Sequence, residues 1–565
     1  MRVAGVTRMY RPAIIPGALL LFVGVCAPAT SQSLPKLDVQ LQQRAAHPSD
    51  RTFVIVRPLN STVDLFIESL GGTLGRALPI VNGRAAQVPD TALSPLAASL
   101  AVERVAWDRP TFGTIDRTAA TVGATAVREQ FGYDGAGVGV ALIDSGIAAH
   151  DDLSDSSHGS QRLAAFVDFV NGLTTPYDDF GHGTHVAGIV AGNGYDSSGG
   201  RTGIAPAASL IALKVLDASG AGRISDVIAA LDYVSSHQAR LNIRVVNVSI
   251  GAAVTESYTS DLLAQATRRV VEHGVVVVAA AGNLGRSSGG DPRYGGITAP
   301  GNAPWVLTVG ASSHMGTADR SDDTIASFSS RGPTAIDRLA KPDLVAPGVG
   351  TESLSVPNSQ LASRFSAFLL DGTVPTAFPP YLSLSGTSMA APVVTGAVVL
   401  MLQANPALSP NAVKAILEFT AEAHPDYDAL TQGAGFLNAQ GAVSIARFFA
   451  NPGSRYPADG SWSGHMIWAN HLLTGGRVLP AVNAWLMTTG WGSDQAADGQ
   501  AVVWGDAWSG SSAYDNVVWG STCGGADCPG GVWYASDGDT IVWGTNDGDT
   551  IVWGTNCGGG ECESE

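Results

Sequence analysis

Cysteine is nearly absent from this 565-residue chain: one lies at Cys26, and the other four, Cys523, Cys528, Cys557 and Cys562, fall in the last tenth. The long stretch between them therefore has no disulfide framework and no thiolate metal chemistry of its own. Positive charge is also scarce. Lys and Arg number 32 against 49 Asp and Glu, a formal net charge of −17, which argues against nucleic acid and anionic membranes as partners. Long apolar runs are missing too. The one candidate near the start, "AIIPGALLLFVGVCA", is shorter than the roughly 20 residues that span a bilayer, and no other segment is long and apolar enough to cross a membrane.

What precedes and follows that short run gives it a meaning. "MRVAGVTRMYRP" carries Arg2, Arg8 and Arg11, and the run ends in "APA" at Ala27 to Ala29. Basic, apolar and small residues in this order read as a secretory signal peptide over residues 1–29, which implies a secreted or extracytoplasmic protein. Bulky Val25 argues against a lipid anchor on Cys26. In an exported chain the paired strings "CGGADC" and "CGGGEC" read as two disulfides, locally paired in the simplest case, with a four-thiolate zinc site as the rival.

Three composition regimes follow. Residues 35–117 read as a small α+β unit: "RTFVIVRP", "GRAAQVP" and "VERVAWD" are strand-like, while "STVDLFIESLGG" and "SPLAASL" are helix-like. From 118 to 450, short runs rich in Val, Ile and Leu alternate with helical patterns: "GVGVALID", "SLIALKVLD", "RVVNVSIG", "VVVVAAAGN", "WVLTVGA" and "DLVAPG". Continuous apolar strands separated by helices predict an α/β fold with a mostly parallel sheet covered on both faces. Functional residues in such sheets lie just beyond the carboxyl ends of strands, which directs attention to Asp144 and Asn283. Residues 451–565 lack lysine and hold 10 of the 12 tryptophans. There "DGDTIVWGTN" is repeated in tandem over residues 537–556. Each "TIVW" alternates faces, and each "TNDGD" offers turn residues, so a β-rich repeat tail is expected. Its aromatic stripe reads as core, and its "DGD" turns carry too few carboxylates to define a calcium site.

Ser388, in "SLSGTSMAAP", stands among small residues where a long apolar helix begins. It is either a helix cap or a nucleophile placed against free N–H donors. A nucleophilic serine needs a base, and the base needs a carboxylate to orient it. Both are available: Asp144 closes the apolar strand "VALIDSG", and His182 lies in the Gly-flanked string "DFGHGTHVAGIVAGN". His182 and His185 share a helix face and could form a metal pair, but the string supplies neither a third ligand nor a Glu base. His185 then reads as a structural histidine behind the site. Asn283, closing "VVVVAAAGN", is either a turn residue or an amide donor to an oxyanion.

The strings "VALIDSGI", "GHGTHVAGIVAG", "VVNVSIG", "AAAGN", "FSSRGP", "KPDLVAPG" and "GTSMAAP" occur in the order and spacing of the subtilisin-like serine proteases. The chain resembles that family over about 330 residues, from 118 to 450. The resemblance implies Asp144 as orienting acid, His182 as general base and then acid, Ser388 as nucleophile and Asn283 as oxyanion donor. It implies peptide or protein substrates, and makes the 35–117 unit similar to the family's inhibitory propeptide, an intramolecular partner. It assigns "VSIG", Ser249, Ile250 and Gly251, to the primary specificity pocket, and "ASGAG", with Gly220 and Gly222, to an edge where an extended substrate pairs. Glycines there would let a peptide backbone come close. Leu284 follows Asn283 where some relatives carry an acid, which implies an apolar or aromatic residue before the cleaved bond. "HDDL" resembles the string bearing a calcium-ligand Asp, so Asp152 is expected to hold a structural calcium, while catalysis needs no cofactor. The segment from Gly350 to Gly386 looks longer than in compact relatives. Two rival functions stand beside the secreted proenzyme: a surface adhesion or carbohydrate-binding array carried by the Trp-rich tail, and a metal hydrolase using His182 and His185.

Overall fold

The computed structural model describes residues 36–478 apart from 38, 47, 49–50, 61, 80–81, 108–113, 156–159, 288–291, 453–454, 469–470 and 475–477. Beyond these it describes four short strand segments, residues 514–516, 540–541, 545–547 and 550–552. The proposed leader and all five cysteines lie outside the described residues, as do most of the tail repeats. The chain divides into two compact units, Met1–Thr111 and Phe112–Glu565.

In the first unit, strands β1 (Arg51–Pro58), β2 (Thr73–Leu78), β3 (Gly83–Pro89) and β4 (Val102–Trp107) form an antiparallel sheet in the order β2-β3-β1-β4. The alternation of "RTFVIVRP" explains its place: Thr52, Val54 and Val56 share one face and are buried, while Arg51, Phe53 and Arg57 on the other face are exposed. Helices Val39–Ala46, Val63–Ser69 and Leu93–Ala98 supply Leu41, Ile67, Leu93 and Leu96 to the same core. The helix Val39–Ala46 and strand β2 were not legible in the sequence, the latter because "TLGRAL" is mostly exposed and lacks a strong apolar period.

The second unit is built on an eight-stranded sheet of β5 (Gly139–Asp144), β6 (Leu163–Asp168), β7 (Ser209–Lys214), β9 (Ile243–Val248), β10 (Val276–Ala280), β11 (Leu307–Ser313), β12 (Thr324–Ile325) and β13 (Leu344–Pro347). The order is β12-β11-β10-β9-β5-β7-β6, with β13 also on β11, and every pairing but β11 with β12 is parallel. The connection that leaves β5 runs to one side of the sheet, to β6 at its edge, and the one that leaves β9 runs to the other side, to β10. The crevice beyond the carboxyl ends of β5 and β9 is therefore a topological switch point, where α/β sheets place their sites.

Successive residues of β5 enter opposite cores: Val140 and Leu142 face the layer that holds helices His182–Ala191 and Thr387–Ala404, and Ala141 and Ile143 face the layer of Ile224–Leu241 and Leu262–Glu272. Burial on both faces is why these strands read as unbroken apolar runs. β6, absent from the sequence expectation, is the edge strand, and its half-exposed "LAAFVD" has no such run. Helix Thr387–Ala404 is long and apolar enough to span a bilayer, contrary to the expectation that no such segment follows the leader, but 94% of that stretch is buried inside the protein. It is the central core helix.

Smaller strands complete the unit. β8 (Gly222–Arg223) pairs with Thr540–Ile541 of the tail. β14 (Thr351–Leu354), β15 (Leu369–Leu370) and β16 (Tyr381–Leu384) form an antiparallel sheet inside the long segment before Ser388. His465–Trp468 pairs with His471–Thr474, so the fold continues past residue 450, and Ile467 N–H donates to Glu418 Oε2 at 2.9 Å. Thr545–Asp547 pairs antiparallel with Thr550–Val552.

A buried charge cluster holds β13 to β11. Asp343 Oδ2 accepts from Lys341 Nζ at 2.8 Å and from Thr308 N at 2.7 Å, and Asp343 Oδ1 lies 3.0 Å from Lys414 Nζ. Burial pushes the Lys341 ammonium down to about 7, with Asp343 opposing the shift. Removing the carboxylate would leave two buried lysines with Glu418 as their remaining acid, a change that costs about 3–5 kcal/mol where one partner of a buried pair is deleted. Asp343→Asn is therefore expected to destabilise the protein by that order in urea unfolding, and by more than Lys341→Met. An unchanged unfolding midpoint would show that the cluster does not hold the strands.

Candidate active site

Asp144 is the last residue of β5, and His182 the first of the helix His182–Ala191. His182 Nδ1 and Asp144 Oδ1 are 2.7 Å apart, with both residues at most 1% exposed. A carboxylate oxygen accepts, so Nδ1 carries the proton and Nε2 carries the lone pair. Asp144 Oδ1 also accepts Ser145 N–H at 2.7 Å.

Two groups that sequence reasoning passed over fix this pair in place. Asp178, 3% exposed, takes four donors: Ser145 Oγ and Gly181 N on Oδ1, Thr184 N and Oγ1 on Oδ2, all at 2.7–2.8 Å. It thereby ties the turn after Asp144 to the first turn of the His182 helix. Lys214, fully buried at the end of β7, donates to Ser145 O at 2.6 Å, Asp179 Oδ1 at 2.7 Å and Leu216 O at 2.8 Å. The signal was present in "YDDFGHGTH", where two acids stand just ahead of His182. Gly183 completes the fit, because a Cβ there would lie 2.1 Å from Gly146 O and 3.2 Å from the Asp144 Cβ. A side chain would push the helix off the carboxylate.

Ser388 is the second residue of helix Thr387–Ala404, whose cap position is Gly386, so capping is not its task. Its hydroxyl donates to Ser249 O at 3.0 Å, and Ser249 Oγ donates in return to Ser388 O at 3.0 Å. The second bond exists because of Pro392. Four residues after Ser388, proline lacks the N–H that would ordinarily bond that carbonyl, and the Ser249 hydroxyl fills the gap. Ser249 Oγ also accepts from Asn247 Nδ2 at 2.8 Å, and Asn247 Oδ1 accepts from Thr395 Oγ1 at 2.8 Å. Ser249 follows the end of β9, so Asp144 and the anchor of Ser388 stand at the ends of the two adjacent strands that flank the switch point.

Asn283 lies just past the end of β10 and is 7% exposed. Its Oδ1 accepts both Thr387 N and Thr387 Oγ1 at 2.9 Å. That fixes the amide orientation and leaves Nδ2 as the free-facing donor beside the start of the Ser388 helix. Within that start, Thr387 N is bonded to Asn283, and Met389 N and Ala390 N to Gly386 O. His185 donates from Nε2 to Leu382 O at 3.0 Å and is fully buried. Burial first, then the neighbouring His182, pushes its pKa down to about 3, so it is a neutral packing residue.

The substrate-binding expectations fare differently. The Ser249 side chain is fully buried and committed to Ser388, so its hydroxyl does not line a pocket; Ile250 is 2% exposed and Gly251 is half-buried. Gly220 and Gly222 are glycines for internal reasons. A Cβ at Gly220 would meet the Phe180 ring at 2.5 Å, and one at Gly222 the Val215 carbonyl at 2.3 Å. Their missing side chains make room for the protein's own core. Asp152 departs furthest from expectation. Calcium takes roughly six to eight oxygen ligands, whereas the Asp152 carboxylate is met by the donors Tyr381 Oη at 2.9 Å and Asp196 N at 2.8 Å, beside the His150 imidazole. This donor set does not fit calcium.

A mostly parallel sheet whose carboxyl edge carries a buried Asp–His pair, next to a helix with a serine in its first turn, has the parts of a serine hydrolase. The comparisons are more specific. The model of the Subtilase family, Peptidase S8, matches residues 135–443. The chain is 37% identical over 375 residues to Serine protease AprX of Bacillus subtilis (strain 168), covering 64% of this chain and 79% of that protein. It is 33% identical over 381 residues to Subtilisin E of the same organism, covering 67% and 84%, and 35% identical over 312 residues to Subtilisin DY of Bacillus licheniformis, covering 55% and 93%. The chain belongs to the subtilase family and is a serine-type endopeptidase.

Asp178→Asn tests the latch under the Asp–His pair. The new amide cannot accept at all four contacts, and each buried donor left unmet costs about 1–3 kcal/mol. Lower stability in urea and a fall in kcat with little change in KM are expected. Wild-type kcat in a folded Asp178→Asn protein would remove Asp178 from any part in holding His182.

Proposed function

We propose that the protein is a secreted endopeptidase that cleaves peptide bonds through an acyl-enzyme formed on Ser388, and that it is made as a proenzyme. The observation that carries the catalytic reading is the 2.7 Å bond from His182 Nδ1 to Asp144 Oδ1 in a fully buried setting. It holds Nε2 as the base and stabilises the imidazolium that forms when the Ser388 proton arrives.

The steps follow from the groups described. As Ser388 Oγ attacks the carbonyl carbon, it exchanges its bond to Ser249 O for transfer of its proton to His182 Nε2. The carbonyl oxygen gains charge and is met by Asn283 Nδ2 and the Ser388 N–H, one of the orphan donors at a helix start. His182 returns the proton to the leaving amine, and water repeats the sequence on the acyl-enzyme.

The order of basic, apolar and small residues over 1–29 supports export, and the α+β unit of 35–117 supports a propeptide that acts as an intramolecular inhibitor. Leu284, half-buried beside Asn283, supports an apolar or aromatic residue before the scissile bond. The pairing of β8 with Thr540–Ile541 supports the edge at Gly222 as a place where an extended segment adds as a strand.

Ser388→Ala is expected to abolish casein hydrolysis and fluorophosphonate labelling while leaving far-UV circular dichroism unchanged; full activity in that variant removes the assignment. Asn283→Leu should lower kcat by on the order of 10² to 10³ with KM nearly constant, a magnitude measured in a subtilisin and carried over here. In a panel of peptides varied at the residue before the cleaved bond, Phe, Tyr or Leu should give the highest kcat/KM. A clear preference for Lys or Arg would contradict the specificity proposal.

A further inference from the structure

We propose that His150, Asp152 and Asp196 form a binding site for a single divalent cation of the zinc class, held by one imidazole nitrogen and two carboxylates. His150 caps the turn Asp151–Leu153, and Asp196 lies in the turn Tyr195–Ser197 that follows the His182 helix. One ligand atom from each residue lies within 4.8 Å of the others, and the three residues are 5%, 0% and 2% exposed.

The hydrogen bonds fix the state of each ligand. His150 Nε2 bonds to Pro380 O at 3.1 Å, and a carbonyl only accepts, so Nε2 holds the proton and Nδ1 is bare. Nδ1 takes the Asp152 N–H at a long 3.2 Å and lies 3.9 Å from Asp196 Oδ2, beyond hydrogen-bond reach. Asp196 Oδ1 is buried and has no hydrogen-bond partner. A lone pair and two carboxylates thus share a dry space, an arrangement that is costly unless a positive charge sits among them.

Among the described residues, no cationic side chain donates to the carboxylates of this cluster. The Arg162 donors go to the carbonyls of Ser154, Ala208, Asp152 and Ala191, and Arg201 pairs with Glu352 at 2.6 Å. Nitrogen in the ligand set selects against calcium and magnesium, which take oxygen. Zinc-class ions bind imidazole and carboxylate at about 2.0–2.2 Å, so ligands flanking one ion stand roughly 3–4 Å apart. The 3.9 Å gap between His150 Nδ1 and Asp196 Oδ2 has that width.

The place of the site suggests what it does. Asp152 Oδ2 accepts the Tyr381 hydroxyl, and Tyr381 opens β16, the strand that leads to Ser388. A bound ion would brace the turn after the His182 helix against the segment that delivers the nucleophile, without touching substrate.

The test uses the full chain carrying Ser388→Ala to prevent self-cleavage, with no histidine tag, stripped by a chelator and titrated with Co²⁺. One Co²⁺ per chain should bind with visible d–d bands typical of nitrogen and oxygen ligands. Zn²⁺ should displace it and raise Tm, and Ca²⁺ at the same concentration should do neither. Asp196→Asn and His150→Asn in the same background should each weaken Co²⁺ binding at least about tenfold. Should Asp196→Asn fail to fold, His150→Asn still reports, because its amide oxygen can keep the cap on Asp152 N–H. Absence of the d–d bands in the parent, bands of thiolate charge-transfer type alone, binding unchanged in a folded variant, or stabilisation by Ca²⁺ alone would each overturn the proposal.

Discussion

A short hydrogen bond between a carboxylate and an imidazole, sealed from water at the edge of a parallel sheet, is the constraint to which the second unit is fitted. Burial makes the Asp144–His182 bond strong and directional, but it also leaves no solvent to rescue a misplaced ring. The surrounding structure supplies the rigidity instead. Asp178 gathers four donors from both sides of the pair, Lys214 anchors the turn after Asp144, and the bare backbone at Gly183 lets the helix approach. None of these groups is placed to touch substrate. Their work is to hold the ring with Nδ1 on Asp144, so that Nε2 faces away from the carboxylate.

The serine side of the site is organised by a different device. Pro392 would ordinarily weaken a helix interior, yet here the carbonyl it releases is the one that Ser249 needs. Ser249 and Ser388 exchange hydrogen bonds across the gap between β9 and the helix start, and Asn247 and Thr395 extend that chain into the core. Thr387 does the same for Asn283 by taking both of its available donors to the amide oxygen. The proposed nucleophile and the proposed oxyanion donor are thus registered against the same helical turn. A shift of that helix would move them together.

The cluster of His150, Asp152 and Asp196 stands behind this arrangement rather than in it. It joins the turn that ends the His182 helix to Tyr381, and through β16 to the residues just before Ser388. The two halves of the proposed machinery therefore meet twice, once at the switch point and once at this buried polar knot. The long segment from Gly350 to Gly386 folds as a small antiparallel sheet and carries one side of the knot.

Much of this was readable from residues alone. Strands buried on both faces must be apolar throughout, so the runs ending in Asp144 and Asn283 announced themselves, and a histidine between glycines and a serine among small residues stood out against helical patterns. The sequence by itself determined the alternation of strand and helix and the parallel sheet, and it singled out Asp144, His182, Asn283 and Ser388 as candidates. Tertiary structure alone decided what Asp152, Ser249, Gly220 and Gly222 do, because their roles depend on which distant atoms arrive beside them: Tyr381 and Asp196, Ser388, Phe180, and Val215. Local pattern records whether a residue faces a core. It does not record the partner that will stand 3 Å away after the chain has closed on itself, and hydrogen-bond chemistry is settled at that distance.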